Sequence, residues 1–310
     1  MKIESVDTVR VSVPFETGGA RQGMRPGLSP WMKMESLMLR VDTDDGLSGW
    51  GEGFGHFVNP ATEAALQTQV GPWFLGRDPS DFDSPMDLAH RSFFGFGRHG
   101  PVMCALAAMD IALWDLAATR AGQPPFRFLG GSHGELRRYA SLMGYGGDAE
   151  AIATNCVRAQ DAGFGMIKLH EPEIPAFLAA RKSVGPEVQI TLEVNCPWSV
   201  AEAQKVARLL REENVHWLEE PVWPPDDFQG LAVVREEGMA IAAGENVHTV
   251  RDLERCLEAR AVDVAQPGVA KVGGITPLRR MIDLAHSFGV RVVRSWNRCS
   301  RPSSSPNLPD

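Results

Sequence analysis

The stretch that decides the fold runs from 188 to 246. It contains VQITLEVN (188–195), VHWLEEP (215–221) and AIAAGEN (240–246), with amphipathic segments between them. Each begins as a short apolar run and meets an acidic residue just past it: Glu193, Glu219 and Glu245. Successive glutamates are 26 residues apart. Continuous apolar runs fit strands of a parallel sheet buried on both faces. The residue just past such a run sits at the strand's C-terminal end, the rim where (β/α) barrels keep their active sites.

Similar runs lie on both sides. RYASLM (138–143) and MIKLH (166–170) precede the deciding stretch, and VDVA (262–265) and VRVV (290–293) follow it. Helix signals fall between them. Ser199 to Glu202 reads as a capping box, Thr276-Pro277 puts an N-cap before a proline, and Gly163 and Gly289 sit where helices should end. Repeated βα units without a reversal signal predict an α/β fold with a modified (β/α) barrel over 131–295. Residues 1–130 have a different texture, with strands at 2–13 and 36–41, a turn at Asp44-Asp45-Gly46, and helices at 60–74 and 101–120. The second helix carries an apolar face of Val102, Leu106, Met109, Leu113 and Leu116. Gly130-Gly131 closes this α+β region. The Gly-, Arg- and Pro-rich segment 16–30 is long enough to act as a lid.

A chain of 310 residues exceeds what one hydrophobic core usually serves, which also favours two domains. The 31 Lys and Arg against 39 Asp and Glu leave a net charge of −8, so no general nucleic-acid partner is expected. The apolar stretch 102–109 is interrupted at Asp110 and Asp115, and the N-terminus alternates like a strand. Neither a membrane span nor a signal peptide is read. Five widely spaced cysteines without a CxxC pair suggest neither a disulfide framework nor a zinc site, and a reduced, cytoplasmic protein is expected.

Three rim carboxylates with no His or Cys at matching positions suit a hard cation, Mg2+, on Glu193, Glu219 and Glu245. Lys168 and His170 are i and i+2 on one strand and should share a face. Lys168 would be a fixed charge near a substrate carboxylate, and His170, ordinarily titrating near neutrality, a proton acceptor. Asn195, two residues past Glu193, could bond what the ion holds. Glu171 and Glu220 are expected to point away. The chemistry that needs this set is removal of a proton next to a carboxylate. That step leaves an enediolate whose two negative charges a metal and a lysine would stabilise.

The motifs DDGLSGWGE (44–52), ALWDLA (112–117), IKLH (167–170), EVN (193–195), WLEEP (217–221), AGEN (243–246) and KVGGIT (271–276) resemble the enolase superfamily, specifically its mandelate racemase/muconate lactonizing enzyme group. The resemblance implies an α+β capping domain over the barrel, Mg2+ on the three glutamates, and closure of 16–30 and 50–58 over the substrate. Arg25 and His56 thereby become candidate substrate contacts. It also implies a small carboxylate substrate, an acid sugar, that undergoes dehydration or racemisation/epimerisation. A homo-oligomer is compatible with this class. Four departures bear on the chemistry. The family's Lys-x-Lys reads Lys168-Leu-His170, and its usual Asp ligand is Glu193. The sixth strand's catalytic position is Gly268, and the seventh strand ends Val293-Arg294-Ser295 in place of Pro-His-Ser. With the His–Asp dyad absent, one-base chemistry such as syn elimination of water fits better than two-base racemisation. Lacking Lys at 268, the chain fits a muconate-type cycloisomerase less well. The tail 296–310, WNRCSRPSSSPNLPD, carries no apolar periodicity and resembles out-of-frame translation or a truncated gene. The barrel is therefore expected to stop after its seventh strand. The alternative function is a non-catalytic member that binds Mg2+ and a carboxylate without turnover.

Overall fold

The computed structural model describes residues 1–19, 32–80, 83–132 and 138–293. Arg25, most of the 16–30 segment and the 296–310 tail lie outside the described residues. The N-terminal layer is an antiparallel sheet in the order β1 (Ile3–Pro14), β2 (Lys33–Thr43), β3 (Ser48–Gly53). On β2 the alternation is clean: Leu37, Leu39 and Val41 are buried, while their even-numbered neighbours face outward.

Strand β3 was not among the expected strands, because SGWGEG lacks the β-branched residues that mark one. Its glycines are explained by what lies against it. A Cβ on Gly51 would fall 2.0 Å from the Ala108 carbonyl oxygen, and one on Gly49 would fall 2.3 Å from that of Ala112. Only a strand without side chains there admits the helix backbone so closely.

The helix expected over 60–74 is divided into α1 (Asn59–Ala65), a π-helical turn (Leu66–Val70) and α2 (Gly71–Phe74). Pro72 has no N–H to give to the ladder, and the wider turn lies just before it. Next come α3 (Asp83–Ser92), α4 (Pro101–Arg120) and α5 (Pro125–Phe128). Instead of one apolar face, α4 is buried nearly all round, since β3 covers one side and the helix Ile275–Ser287 lies near another. It is the one helix among the described residues long and apolar enough to cross a membrane, and it is core. Both aspartates that interrupt it are used: Asp110 Oδ2 accepts the Thr276 N–H at 2.9 Å, and Asp115 Oδ2 accepts the Trp50 N–H at 2.8 Å.

The rest is a parallel βα array. Strands β4 (Ala140–Ser141), β5 (Met166–Leu169), β6 (Gln189–Glu193), β7 (Val215–Glu219), β8 (Ile241–Ala243), β9 (Val264–Ala265) and β10 (Arg291–Val292) are hydrogen-bonded in sequence order. Each falls within one of the seven apolar runs. Between them lie α6 (Ala149–Asp161), α7 (Ile174–Ser183), α8 (Val200–Leu210), α9 (Phe228–Arg235), α10 (Val250–Glu258) and α11 (Ile275–Ser287). Among the described residues, seven parallel strands are present, and β4 and β10 are its edges.

Strand parity divides the array into two faces. Ile167, Leu169, Ile190, Leu192, Leu218 and Ile241 belong to the main apolar core with the helices. The opposite face carries Trp217, Ala242 and Val264 toward one end and the charged residues toward the C-terminal rim. The Ser199 capping box is present on α8, and Gly163 and Gly289 take positive φ after α6 and α11. The expected N-cap at Thr276 is displaced: α11 starts at Ile275 with Gly274 as its cap. The buried Asp110 carboxylate takes the Thr276 N–H instead, and the Thr276 hydroxyl accepts from Trp114 Nε1 at 2.9 Å.

Candidate active site

Strands β6 and β7 pair with Glu193 opposite Glu219, so both carboxylates leave the sheet at one level on one face. Glu245 arrives differently. Glu219 pairs with Ala242, three residues before Glu245, so equal spacing in sequence is not equal register. Gly244, at φ 140°, turns the chain; a Cβ there would sit 2.7 Å from the Gln266 backbone nitrogen. The turn brings a Glu245 oxygen within 4.8 Å of one from each of Glu193 and Glu219. Glu193 and Glu219 are fully buried, and Glu245 is partly open.

Lys168 stands among them. Its Nζ donates to Glu219 Oε1 at 2.5 Å and lies 3.1 Å from Glu193 Oε2. Burial would lower the ammonium's pKa, but Glu193 and Glu219 raise it above the ordinary value. The two carboxyls respond in opposite senses. Burial and the neighbouring Glu219 push Glu193 well above the usual range. Burial acts the same way on Glu219, but Lys168 overrides it and holds Glu219 down at about 2. Glu219 Oε2 is fixed by Trp217 Nε1 and Gln266 Nε2, each at 3.1 Å. Glu193 Oε1 accepts the Asn195 N–H at 2.9 Å, while its buried Oε2 accepts no hydrogen bond.

That set fits a divalent cation. Three carboxylate oxygens converge, the buried Glu193 Oε2 has the Lys168 ammonium beside it but no hydrogen bond, and Glu193 is pushed toward its protonated form by burial and by the carboxylate beside it. A hard cation relieves all three conditions.

His170 follows the end of β5, two residues past Lys168. Its Nδ1 contacts the Leu142 carbonyl oxygen at 2.5 Å. A carbonyl can only accept, so the proton is on Nδ1 and the Nε2 lone pair is free. Burial, followed by the Lys168 charge, pushes His170 down to about 4. The near-neutral ionisation expected from an ordinary histidine is thereby displaced. Asn195 has φ 56°, so strand parity has ended before it; what it visibly gives the site is its N–H. His56 opens the short 3-10 turn His56–Val58.

Neither Glu220 nor Glu171 is among the three converging carboxylates, though Glu220 lies near enough to Glu245 and Glu219 to feel both. Glu220 Oε2 accepts from Asn246 Nδ2 at 2.6 Å; burial, then Glu245 and Glu219, push it up to about 7. Glu171 accepts N–H groups of Tyr145 and Gly147, bracing the β4–α6 loop. The residues missed in the sequence were Trp217, Gln266 and Lys271. Two lie in quoted motifs, WLEEP and KVGGIT, but nothing there said which atoms they would reach.

Two family descriptions match the chain. The mandelate racemase/muconate lactonizing enzyme N-terminal domain covers 29–130, and the enolase C-terminal domain-like description covers 151–306. The chain belongs to the enolase superfamily. Within this superfamily it is similar to a 3,6-anhydro-alpha-L-galactonate cycloisomerase of Streptomyces coelicolor, at 30% identity over 91% of this chain and 78% of that one. It is similar also to the L-talarate/galactarate dehydratase of Salmonella typhimurium, at 28% identity over 85% and 68% of the two chains. Among solved structures, the L-talarate dehydratase of Polaromonas sp. JS666, complexed with Mg and L-glucarate, superposes with a TM-score of 0.82. That match has 26% identity and covers 95% of this chain and 80% of that one.

Proposed function

We propose that this chain is a Mg2+-dependent enzyme that removes the α-proton of a small hydroxy carboxylate, an acid sugar, on the way to dehydration or to isomerisation. The observation that carries the reading is the convergence of Glu193, Glu219 and Glu245 within 4.8 Å, with Lys168 against two of them. The dehydratase and cycloisomerase relatives, and the relative complexed with Mg and L-glucarate, support the substrate class. We assign substrate closure and capping to 1–130 and catalysis to 131–295, with Arg25, His56 and Asn195 as substrate contacts. Four free cysteines among the described residues support a reduced, cytoplasmic setting.

When bound, Mg2+ would supply positive charge to the substrate carboxylate as negative charge builds on it. The protein's own residues do the rest. Glu193, Glu219 and Glu245 would hold the ion, with Trp217 and Gln266 keeping the second Glu219 oxygen in place. Lys168 presents a fixed ammonium at the cluster. His170 accepts the α-proton at Nε2, and the Leu142 carbonyl holds its ring by Nδ1. Gly268 offers no acid–base group, which favours a one-base course in which His170 returns its proton to the departing hydroxyl as water.

Calorimetry with Mg2+ and proton NMR of acid sugars in D2O test the reading together. Mg2+ binding that Glu219→Gln weakens at least about tenfold, with Mg2+-dependent loss of one α-proton signal, is expected. Binding of ion and carboxylate with no α-proton exchange across the acid-sugar set would leave a binding protein in place of the enzyme.

A further inference from the structure

The carboxylate cluster is bracketed by two lysines, one from β5 and one from the turn after β9. Lys168 reaches it from β5, across Glu193 and Glu219. Lys271 reaches it from the turn after β9, with its Nζ 3.6 Å from Glu245 Oε1. The turn is built for this. The N–H of Lys271 donates to the Gly268 carbonyl at 2.9 Å, folding the lysine back toward Gly268. A Cβ at Gly268 would have the Lys271 Cδ as its nearest neighbour at 3.7 Å, followed by Cγ and Cβ at 3.8 Å. Glycine at 268 therefore leaves the lysine's stem beside a backbone without a side chain, and a longer residue there would compete for that space. The head is guided from the N-terminal layer: Nζ lies 4.7 Å from the centroid of the Phe54 ring, just past β3.

Lys271 differs from Lys168 in one respect that matters for binding. The Lys168 side chain is 3% exposed and enclosed by its carboxylates, whereas that of Lys271 is 15% exposed and Glu245 beside it is 22% exposed. The open part of the cluster is thus the Lys271–Glu245 side. Three carboxylates, two ammonium groups and a divalent ion sum to one net positive charge, so the cluster with its ion would attract an anion.

We propose that Lys271 is a substrate-binding residue of this site, whose ammonium group takes a carboxylate or alkoxide oxygen of the substrate on the β9 side of the ion. The proposal rests on the Mg2+ reading for the ion, but Lys271 acts through its own charge. With Glu245 holding the ion, the Lys271 ammonium, now 3.6 Å from Glu245 Oε1, would be left to the substrate oxygen.

Tartronate, a small hydroxy-dicarboxylate, is the probe, titrated by calorimetry into protein saturated with Mg2+. Lys271→Met and Lys271→Gln are compared with wild type, using variants that melt as wild type does. The expected result is Mg2+ affinity unchanged or a few-fold tighter, because removing the ammonium frees the Glu245 oxygen, with tartronate affinity at least tenfold weaker. Lys271→Arg should recover part of that loss. Tartronate binding within twofold of wild type in the neutral variants would overturn the proposal. So would a loss of Mg2+ affinity with tartronate binding intact at saturating Mg2+, since Lys271 would then only hold Glu245. Wild type taking up no Mg2+ would refute the metal reading alone. Tartronate binding without metal would still decide the proposal, by its dependence on Lys271 or its independence of it.

Discussion

At the scale of single residues, the site works by denying its groups their ordinary behaviour. Glu193 and Glu219 face each other across two paired strands, and one lysine cannot neutralise both at once. Burial makes that conflict costly, and a divalent ion resolves it. His170 is displaced in the other direction. Pushed down to about 4 by burial and by Lys168, it is already neutral well below pH 7, with Nε2 ready to accept. The rate of α-proton exchange should therefore stay flat from about pH 6 to 8 and fall only as pH drops toward His170's own value. His170→Asn should cost about 10²–10⁴-fold in exchange, the usual worth of a general base, while leaving Mg2+ affinity largely intact. An exchange rate that climbs through a single ionisation near pH 7 would assign the proton to another group.

At the scale of elements, the glycines of β3 set how closely the N-terminal helix can approach. Gly51→Ala would put a methyl 2.0 Å from the Ala108 carbonyl oxygen, which belongs to rigid helix backbone and cannot swing aside. Overpacking of this kind typically costs about 1–3 kcal/mol, and a backbone obstacle puts it at the upper end. A thermal melt of Gly51→Ala should fall by several degrees, whereas Gly46→Ala, in an open turn, should pay only for its positive φ of 84°. Equal melts for the two would mean that α4 is seated by something other than this close approach. The same contrast explains what was legible beforehand. Buried parallel strands announce themselves as apolar runs, so all seven strands were found. A strand made of glycine and serine makes no such signal, so β3 was not. The acidic residue after each run marked Glu193, Glu219 and Glu245. Their common spacing concealed that Glu245 depends on the Gly244 turn and not on strand register. Period-two reasoning ends where the strand ends, which is why it could not foresee the left-handed Asn195 or the fold-back of Lys271.

At the scale of the whole molecule, the N-terminal layer is fastened to the parallel array by a joint that contains histidines. Asp110 and Trp114 of α4 hold Thr276 of α11, and Arg280 of α11 reaches Asp87 of α3 at 3.0 Å. Beside these contacts a cavity of about 150 Å³ is lined by His90 from α3 and His248 from the loop before α10. His90 Nε2 and His248 Nδ1 are buried and accept or donate no hydrogen bond. The His99 ring packs against that of His248, tilted by 42° with 4.7 Å between centroids, and lies 3.7 Å from Asp252. Burial lowers the pKa of His90, with Arg280 acting in the same sense and Asp87 against it. Burial lowers that of His248 too, helped by His99 and the Lys271 charge and opposed by a hydrogen bond with the Lys271 backbone and by Asp252. In the unfolded chain both imidazoles return to about 6.5. Below that pH the unfolded state takes up protons that the folded joint refuses, so this contribution is complete above about pH 6.5 and is lost as pH falls toward the folded values. Taken by themselves, the two histidines of the joint should leave the melting temperature level between about pH 7 and 8 and lower it from about pH 6.5 to 5. His170 and His216 are also held below their ordinary values and add to the same decline, whereas Glu220, pushed up to about 7, and Glu193, raised well above the usual range, act against it, so the assignment needs a variant. The double substitution His90→Asn with His248→Asn, which cannot take up those two protons, should flatten the slope in that window. A slope as steep in the double variant as in wild type would mean that the joint between the two layers does not titrate there.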